Sequence, residues 1–144
     1  MKIALGADHA GFALKQQLRE SLERGGHTVI DLGPDSAQSV DYPDFACAVA
    51  ARVAAGEADR GLLVCGTGIG MAMTANKTRG VRAVSCSEGY SARMSRAHND
   101  ANVLALGARV VGPGVADELV RIFLETPFEG GRHARRVEKI ESGC

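Results

Sequence analysis

The sequence predicts one α/β domain, a Rossmann-like three-layer α/β/α sandwich on a five-stranded parallel sheet, spanning residues 1–144. Short apolar runs alternate with helical patterns of about ten to fifteen residues, which is typical of parallel β-α-β units with right-handed crossovers. The length suits a single core. Several of the apolar runs stop at polar or glycine-rich turns, where such sheets place their ligand sites.

The first half of the chain begins with a strand predicted at residues 2–5. The helix after it carries its apolar side chains at helical spacing, on Phe12, Leu14, Leu18 and Leu22. Gly25-Gly26 ends this helix, and residues 28–32 are β-branched enough for a second strand. After the loop that starts at Gly33-Pro34, an alanine-rich helix is expected at residues 45–55.

The second half starts with an apolar run at 62–64 that stops at Cys65, and a buried helix follows from Met71. Ser87 is predicted to cap the helix that follows the fourth strand, with Glu88 in its first turn. The remaining elements are strands at 81–86 and 102–106 and helices at 87–97, 117–125 and about 132–141.

Composition excludes several partners. Seventeen basic residues balance seventeen acidic ones, so no overall field attracts nucleic acid or an anionic membrane. Aromatic residues, on which nucleic-acid bases could stack, are scarce. No apolar stretch approaches the roughly 18 residues of a membrane span. We therefore expect no nucleic-acid partner and no membrane partner, and the cysteine pattern described next favours a cytoplasmic location.

The four cysteines are Cys47, Cys65, Cys86 and Cys144. They form no C-x-x-C pair and no ligand cluster with histidine, which argues against a metal site or a disulfide framework. Cys47 and Cys86 are expected to be small buried hydrophobes. Cys144 is expected to lie in a loose terminus.

Cys65 is the strongest candidate for chemistry. It stands between an apolar strand and a turn that contains Gly66, Gly68 and Gly70, which allows close backbone approach and directs N–H groups at a ligand. A thiol beside a helix start has its thiolate favoured and can act as base or nucleophile. This turn therefore predicts an enzyme that acts on an anionic small molecule.

Further candidate site residues lie near the ends of the predicted strands. Asp8-His9 after the first strand, residues 65–70 after the third and Ser87 after the fourth are expected in one crevice. His98-Asn99 precedes the fifth strand and can supply proton transfer and a hydrogen bond to an oxyanion, or can be a solvated loop. Three arginines are candidate phosphate ligands or solvated side chains: Arg109, Arg132 and Arg136.

Nucleotide-binding folds fit less well. Asp31 ends the second predicted strand, where dinucleotide-binding domains carry an acidic ribose ligand, but the turn at 6–11 lacks G-x-G-x-x-G. The turn at 66–70 lacks the G-K-[ST] ending of a P-loop. A phosphoacceptor receiver domain needs an aspartate where Cys65 stands.

With these motifs in place, the sequence resembles ribose 5-phosphate isomerase type B, of the family that includes galactose 6-phosphate isomerase subunits. The match runs over almost the whole length. Its motifs are Gly6-Ala-Asp8-His9-Ala-Gly11-Phe12, Asp41-Tyr42-Pro43, Cys65-Gly66-Thr67-Gly68-Ile69-Gly70, Ala75-Asn76-Lys77, Arg82-Ala83-Val84, His98-Asn99-Asp100 and Glu129-Gly130-Gly131-Arg132-His133.

The resemblance implies a cofactor-free, metal-free interconversion of ribose 5-phosphate and ribulose 5-phosphate in the pentose phosphate pathway. It also implies a homodimer or a dimer of dimers with shared active sites. The helix at about 132–141 would then pack on a partner subunit and supply arginines to its site.

The resemblance also implies residue roles. Cys65 matches the base that moves a proton between C1 and C2, and His98 matches the residue that opens the furanose ring. Thr67 is expected to assist either ring opening or the relay of the proton. Backbone groups of Gly66, Gly68, Ile69 and Gly70, with Asn99, match the cradle for the enediolate. Asp8 matches a sugar-hydroxyl ligand, and the phosphate set comprises His9, Arg109, Arg132 and Arg136.

Two alternatives stay open. A six-carbon phosphosugar such as allose or galactose 6-phosphate is the rival substrate. A non-catalytic sugar-phosphate sensor could use the same turn, although it would need neither the base Cys65 nor the ring-opening His98.

Overall fold

The computed structural model describes residues 1–143 as a parallel sheet between two layers of helices, so Cys144 lies outside the described residues. The elements, in chain order, are β1 Lys2–Ala7, α1 Phe12–Arg24, β2 Thr28–Asp31, α2 Tyr42–Ala54, β3 Arg60–Cys65, α3 Ile69–Ala75, β4 Ala83–Ser85, α4 Gly89–Ala97, β5 Val103–Gly107, α5 Pro113–Glu125 and α6 Arg132–Ser142. The predicted α/β class and the five parallel strands are confirmed.

The five strands pair in the order β2-β1-β3-β5-β4. From β1 the chain adds β2 on one side and then crosses to β3 on the other, so the order reverses between β1 and β3. In open parallel sheets this reversal opens a crevice beyond the carboxyl ends of the two strands. The carboxyl ends of β1 and β3, next to Asp8 and Cys65, therefore border the crevice.

The core has one layer on each face of the sheet. Leu62, Val64 and Leu104 pack with α1, α4 and α5, whereas Leu63 and Cys65 pack with α2 and α3. Alternate residues of β3 thus enter opposite layers. Both faces of the sheet are covered, which explains why the strand sequences are apolar throughout. The Cys65 side chain belongs to the α2/α3 layer.

Helix starts differ from the predicted positions. Proline occupies the first turn of α2 and of α5, so these helices begin at Tyr42 and Pro113 rather than at residues 45 and 117. The predicted Ser87 cap of α4 was wrong. Glu88 is the cap, and its carboxylate accepts hydrogen bonds from the N–H groups of Tyr90 at 2.7 Å and Ser91 at 2.8 Å. The hydrogen bonds from Ser91 hold the pKa of Glu88 below its usual range.

Of the two cysteines that were expected to be buried, one is buried and the other is exposed. Cys86 is buried just after β4, as predicted, and burial raises the pKa of its thiol to about 11. The prediction of a buried Cys47 was wrong, because this residue lies on the exposed side of α2. Its neighbours Ala46, Val49 and Ala50 form the buried side of the helix instead.

An ion pair is buried between α1 and β2. Lys15 is fully buried, and its Nζ donates to Asp31 Oδ1 at 2.6 Å and Oδ2 at 2.7 Å. The Gly33 N–H donates to the same carboxylate at 2.9 Å, and Arg19 approaches Oδ2 at 3.5 Å. Asp31 therefore anchors α1 and the loop after β2, and its position at a strand end does not indicate a ribose site.

Within residues 1–143, no helix combines the length and apolar character that crossing a membrane requires.

We predict that Asp31→Asn destabilises the protein by about 3–5 kcal/mol, because it leaves the Lys15 ammonium buried without its charge partner. Lys15→Met should cost clearly less, since Asp31 is partly exposed and keeps its contacts with Gly33 and Arg19. Urea unfolding of both variants measures the difference. Equal losses of stability in the two variants would show that an unpaired, buried Lys15 ammonium is not what destabilises Asp31→Asn.

Candidate active site

Three turns meet at the carboxyl edge of the sheet. The Asp8 N–H donates to Val64 O at 3.0 Å, which joins the turn after β1 to the end of β3. The N–H groups of Ala108 and Arg109 donate to Cys65 O at 2.8 Å and Gly66 O at 3.1 Å. The predicted neighbourhood of Asp8 and the Cys65 turn is confirmed. Arg109 joins it because β5, and not β4, is the strand next to β3.

Ser87, which was expected beside these turns because it follows a strand end, comes after β4, the strand at one side of the sheet. In the sheet β5 lies between β3 and β4. The β4 residue that reaches the glycine turn is Ser85, whose hydroxyl donates to Thr67 O at 3.4 Å. Ser87, two residues further along the chain, is exposed.

Glycines allow the turns to approach this closely. A Cβ on Gly11 would lie 2.2 Å from Val64 O, and a Cβ on Gly107 would lie 2.8 Å from the backbone of Thr67. Gly68 has φ +80, and a Cβ there would lie 2.7 Å from the Ser85 hydroxyl. Gly11 and Gly107 are required for space, whereas Gly68 is required for both space and its positive φ. The crevice floor is therefore made of backbone.

The Cys65 thiol sits in this floor with 5% of the residue exposed. Its Sγ accepts a hydrogen bond from the Gly68 N–H at 3.1 Å. A donor aimed at sulfur stabilises negative charge there, so the turn can hold a thiolate. The arrangement suits proton abstraction from a substrate held over the turn.

The rest of the turn faces outward. Thr67 is exposed, and its Oγ1 accepts from the Ile69 N–H at 3.3 Å, while Ile69 itself is 57% exposed.

Gly70 packs so closely against Tyr42 that a Cβ on this glycine would lie 2.8 Å from the phenol ring. Tyr42 thus borders the glycine turn. Sequence reasoning noted this residue only as part of a motif, although an aromatic beside a proline at a helix start was an available signal.

Asp8 and His9 lie on the β1 side of the crevice. Asp8 is 7% exposed, and its Oδ1 accepts the Gly11 N–H at 2.9 Å. His9 is exposed, and its Nδ1 accepts the Val40 N–H at 3.4 Å. In the neutral ring this bond leaves the hydrogen on Nε2. His9 therefore presents an N–H donor suited to an anion.

His98 and Asn99 lie at the other end of the sheet. His98 ends α4, and Asn99 O accepts from the Arg82 guanidinium just before β4. The β3–β5 register runs from Gly61 opposite Val103 to Cys65 opposite Gly107, a span of about 13 Å. One chain therefore does not bring His98 to Cys65.

A second cluster surrounds His98. Its ring stacks on that of His133 with centroids 4.1 Å apart and planes 4° from parallel. Glu129 Oε2 lies 3.7 Å from Nε2 of each ring. Arg132 and Arg136 are exposed on the same helix as His133. The structure thus assembles two separate clusters, one around Cys65 at the carboxyl edge of the sheet and one around His98 at the opposite edge.

The three ligand atoms of His98, Glu129 and His133 lie within 4.8 Å of one another, so this group could be considered for a metal ion. The lone pair of an imidazole nitrogen lies in the ring plane, and parallel rings direct their lone pairs side by side. The observed stack therefore does not converge on one ion. Sequence reasoning missed this cluster, although Glu129 and His133 are spaced one helical turn apart.

A thiol set in a glycine turn at the switch point of a parallel sheet is compatible with a small-molecule enzyme, and comparison with known proteins gives the class. A family model described as Ribose/Galactose Isomerase matches residues 3–140. The chain belongs to this family, which confirms the resemblance found in the sequence.

Individual relatives cover nearly the whole chain. Ribose-5-phosphate isomerase B of Escherichia coli is 53% identical over 139 residues, which cover 96% of this chain and 93% of that protein. The structure of ribose-5-phosphate isomerase B of Clostridium thermocellum superposes with a TM-score of 0.98 at 52% identity, covering 99% of this chain and 96% of that one. The Mycoplasma genitalium enzyme, solved with bound ribulose-5-phosphate, gives 0.94 at 42% identity, covering 98% and 94%.

We predict that the protein loses stability as the pH falls from about 7 to 5. Burial, followed by the charges of His98 and Arg132, lowers the pKa of His133 below its ordinary value. In the unfolded chain this histidine takes up a proton at about pH 6.5, whereas in the folded protein it does so only at lower pH. The unfolded state therefore binds more protons in this range, and acid favours unfolding.

Thermal unfolding of wild-type protein and of His133→Gln across this range checks the assignment. The variant should show a shallower fall in Tm toward acid. Parallel curves for the two proteins would remove His133 from the acid sensitivity.

Proposed function

We propose that this protein is an aldose–ketose isomerase that interconverts D-ribose 5-phosphate and D-ribulose 5-phosphate without a cofactor, in the pentose phosphate pathway. The observation that carries the proposal is the Cys65 sulfur, held under the Gly68 N–H in a backbone-lined crevice. Membership of the ribose/galactose isomerase family supports the reaction class. The high identity to ribose-5-phosphate isomerase B of Escherichia coli supports the substrate.

The proposed mechanism begins with the open-chain aldose. The Cys65 thiolate removes the proton from C2, and the C–H electron pair forms the C1–C2 double bond while the carbonyl electrons move to O1. The O2 hydroxyl then gives its proton to O1 as the C2=O2 bond forms, while the electrons of the C1–C2 double bond take the proton back from the Cys65 thiol at C1. This regenerates the thiolate and leaves a ketone at C2 and a hydroxyl group at C1. A base near neutral pH and a prearranged site for the developing oxyanion are what this step needs.

The oxyanion site is proposed to be the backbone N–H groups of residues 66–70, together with Asn99. Such donors act strongly because their dipoles are already oriented, and loss of one typically costs about 3 kcal/mol of transition-state stabilisation. Thr67 lies beside this cradle and is proposed to assist proton relay. Gly66, Gly68, Ile69 and Gly70 contribute through backbone rather than side chain.

Ring opening and binding are assigned to the remaining candidates. His98 is proposed to donate a proton to the ring oxygen as the C1–O bond breaks. Asp8, nearly buried at the crevice, is proposed to bind a sugar hydroxyl. The phosphate is proposed to lie among donors that carry N–H groups and positive charge, namely His9, Arg109, Arg132 and Arg136.

These roles require two subunits. Cys65 and His98 lie at opposite edges of one sheet, so we propose a homodimer, or a dimer of dimers, in which each site takes Cys65 from one chain and His98 from the other. Exposed apolar side chains support such an interface. Ile69 and Met73, one turn apart on α3, are 57% and 65% exposed, and Ile140 on α6 is 53% exposed.

The described thiols are consistent with the proposed location in a reducing cytosol. Cys47, Cys65 and Cys86 are all free. A free thiol base persists more readily where disulfides are kept reduced.

The family description names galactose as well as ribose isomerases, which keeps a six-carbon phosphosugar as the second candidate substrate. The same Cys65 chemistry would apply to it. A sugar-phosphate sensor would bind the substrate without turning it over.

We predict that Cys65→Ala lowers kcat for ribose 5-phosphate by about a thousandfold or more, because the general base is lost. Phosphosugar binding, measured by calorimetry, should stay nearly intact. Cys47→Ser, which changes an exposed thiol on α2, is the matched control and should retain full activity. Allose 6-phosphate and galactose 6-phosphate are assayed in parallel.

Faster turnover of a hexose phosphate would keep the mechanism and replace the substrate. Binding without turnover by the wild-type protein would favour a sensor. Full activity in Cys65→Ala would remove the thiol from the reaction.

We predict that mixing two inactive variants restores activity. Cys65→Ala and His98→Asn subunits, unfolded and refolded together in equal amounts, should form mixed dimers with one intact site each. Random pairing gives about a quarter of the wild-type activity. Failure to recover activity, despite mixed dimers demonstrated by native mass spectrometry, would contradict shared sites.

A further inference from the structure

We propose that Glu129 and His133 are positioning residues for His98, holding its ring in one plane and providing the counter-charge for its protonated form. This inference rests on the proposed ring-opening role of His98. It goes further by assigning functions to two residues that the proposed mechanism leaves unused. The evidence is the stack of the two rings and the carboxylate placed next to both.

His133 is a rigid support. It is 6% exposed, whereas the His98 side chain is 35% exposed. Its N–H donates to Gly130 O at 3.0 Å in the first turn of α6. Parallel rings 4.1 Å apart are in van der Waals contact over one face. The stack therefore fixes the plane of the His98 ring, while about a third of its side chain stays exposed.

Glu129 is attached to the same helix end as His98. Its N–H donates to Ala97 O at 3.0 Å, and Ala97 directly precedes His98. Its Oε2 lies 3.7 Å from Nε2 of His98, which is too long for a direct hydrogen bond but short enough for one charge to act on another. The backbone bond thus holds the carboxylate beside the imidazole.

The surrounding charges make Glu129 the carboxylate next to His98. Asp100 is two residues away, but Arg82 and Arg96 hold it at 3.1 Å and 2.7 Å. Arg132 and Arg136 add positive charge from α6 and act on His133.

Burial and these charges lower the pKa of His133, so it stays neutral near pH 7. A neutral His133 does not compete with protonated His98 for the carboxylate.

The proposal predicts a loss in one step of the reaction. Ribose 5-phosphate closes to a furanose, so its conversion starts with proton donation to the ring oxygen. Ribulose 5-phosphate cannot close to a furanose, because its O5 is esterified, and its conversion starts at the proton transfer to Cys65. A group that serves His98 should matter for the first substrate and little for the second.

The experiment compares initial rates with the two substrates for Glu129→Gln, His133→Ala and His133→Phe in the full-length protein, each checked by its thermal unfolding. Glu129→Gln should lower kcat with ribose 5-phosphate about fivefold, the value of a partly exposed ion pair. His133→Ala should lower it about tenfold through loss of the stack, and His133→Phe should recover most of that loss. Rates with ribulose 5-phosphate should change less than twofold.

Two controls separate the possible failures. Glu125→Gln removes an exposed carboxylate on α5 that pairs with Arg121, and it should behave as wild type. His98→Asn sets the reference for loss of ring opening, and equal losses with both substrates would overturn the role of His98 and this proposal with it. If His98→Asn separates the substrates while the Glu129 and His133 variants do not, only the positioning roles are overturned. Since Glu129 is exposed, Glu129→Gln decides the matter even if His133→Ala does not fold.

Discussion

The site depends on the close approach of three backbone segments at the end of β3. Gly11 and Gly107 bring their chains within contact of Val64 and Thr67, at separations that any side chain would prevent. Gly68 then turns the chain so that its N–H donates to the Cys65 sulfur. Because this floor is backbone packed against backbone, its dipoles are fixed before substrate arrives, which is the condition for stabilising a developing charge without reorganisation.

The parallel topology explains why one chain holds only half of the proposed site. Every helix that follows a strand runs back across the sheet, so a residue at the end of α4 must lie at the edge where β5 begins. His98 is therefore separated from Cys65 by the length of the strands. In the proposed dimer, a site that contains both residues joins opposite edges of two sheets, and catalysis would depend on association.

Charge in this protein acts locally. The chain has a formal net charge of zero, so attraction for a phosphate must come from particular side chains rather than from an overall field. Most charged groups in the interior are already committed, as Lys15 is to Asp31 and Arg96 is to Asp100. Arg109, Arg132 and Arg136 are exposed, and they are the arginines proposed to bind the phosphate.

The sequence by itself determined the fold class, the five strands and the junction of Cys65 with a glycine turn, because hydrophobic period and glycine placement are local signals. It also placed Asp8 beside that turn, since the carboxyl ends of neighbouring parallel strands share an edge. Only the tertiary structure decided that β5 pairs with β3, that Glu88 caps α4 and that Cys47 faces outward. It also decided the stack of His98 on His133 beside Glu129. The physical reason is that strand order and contacts between distant segments follow from packing of the whole chain, which no local pattern encodes.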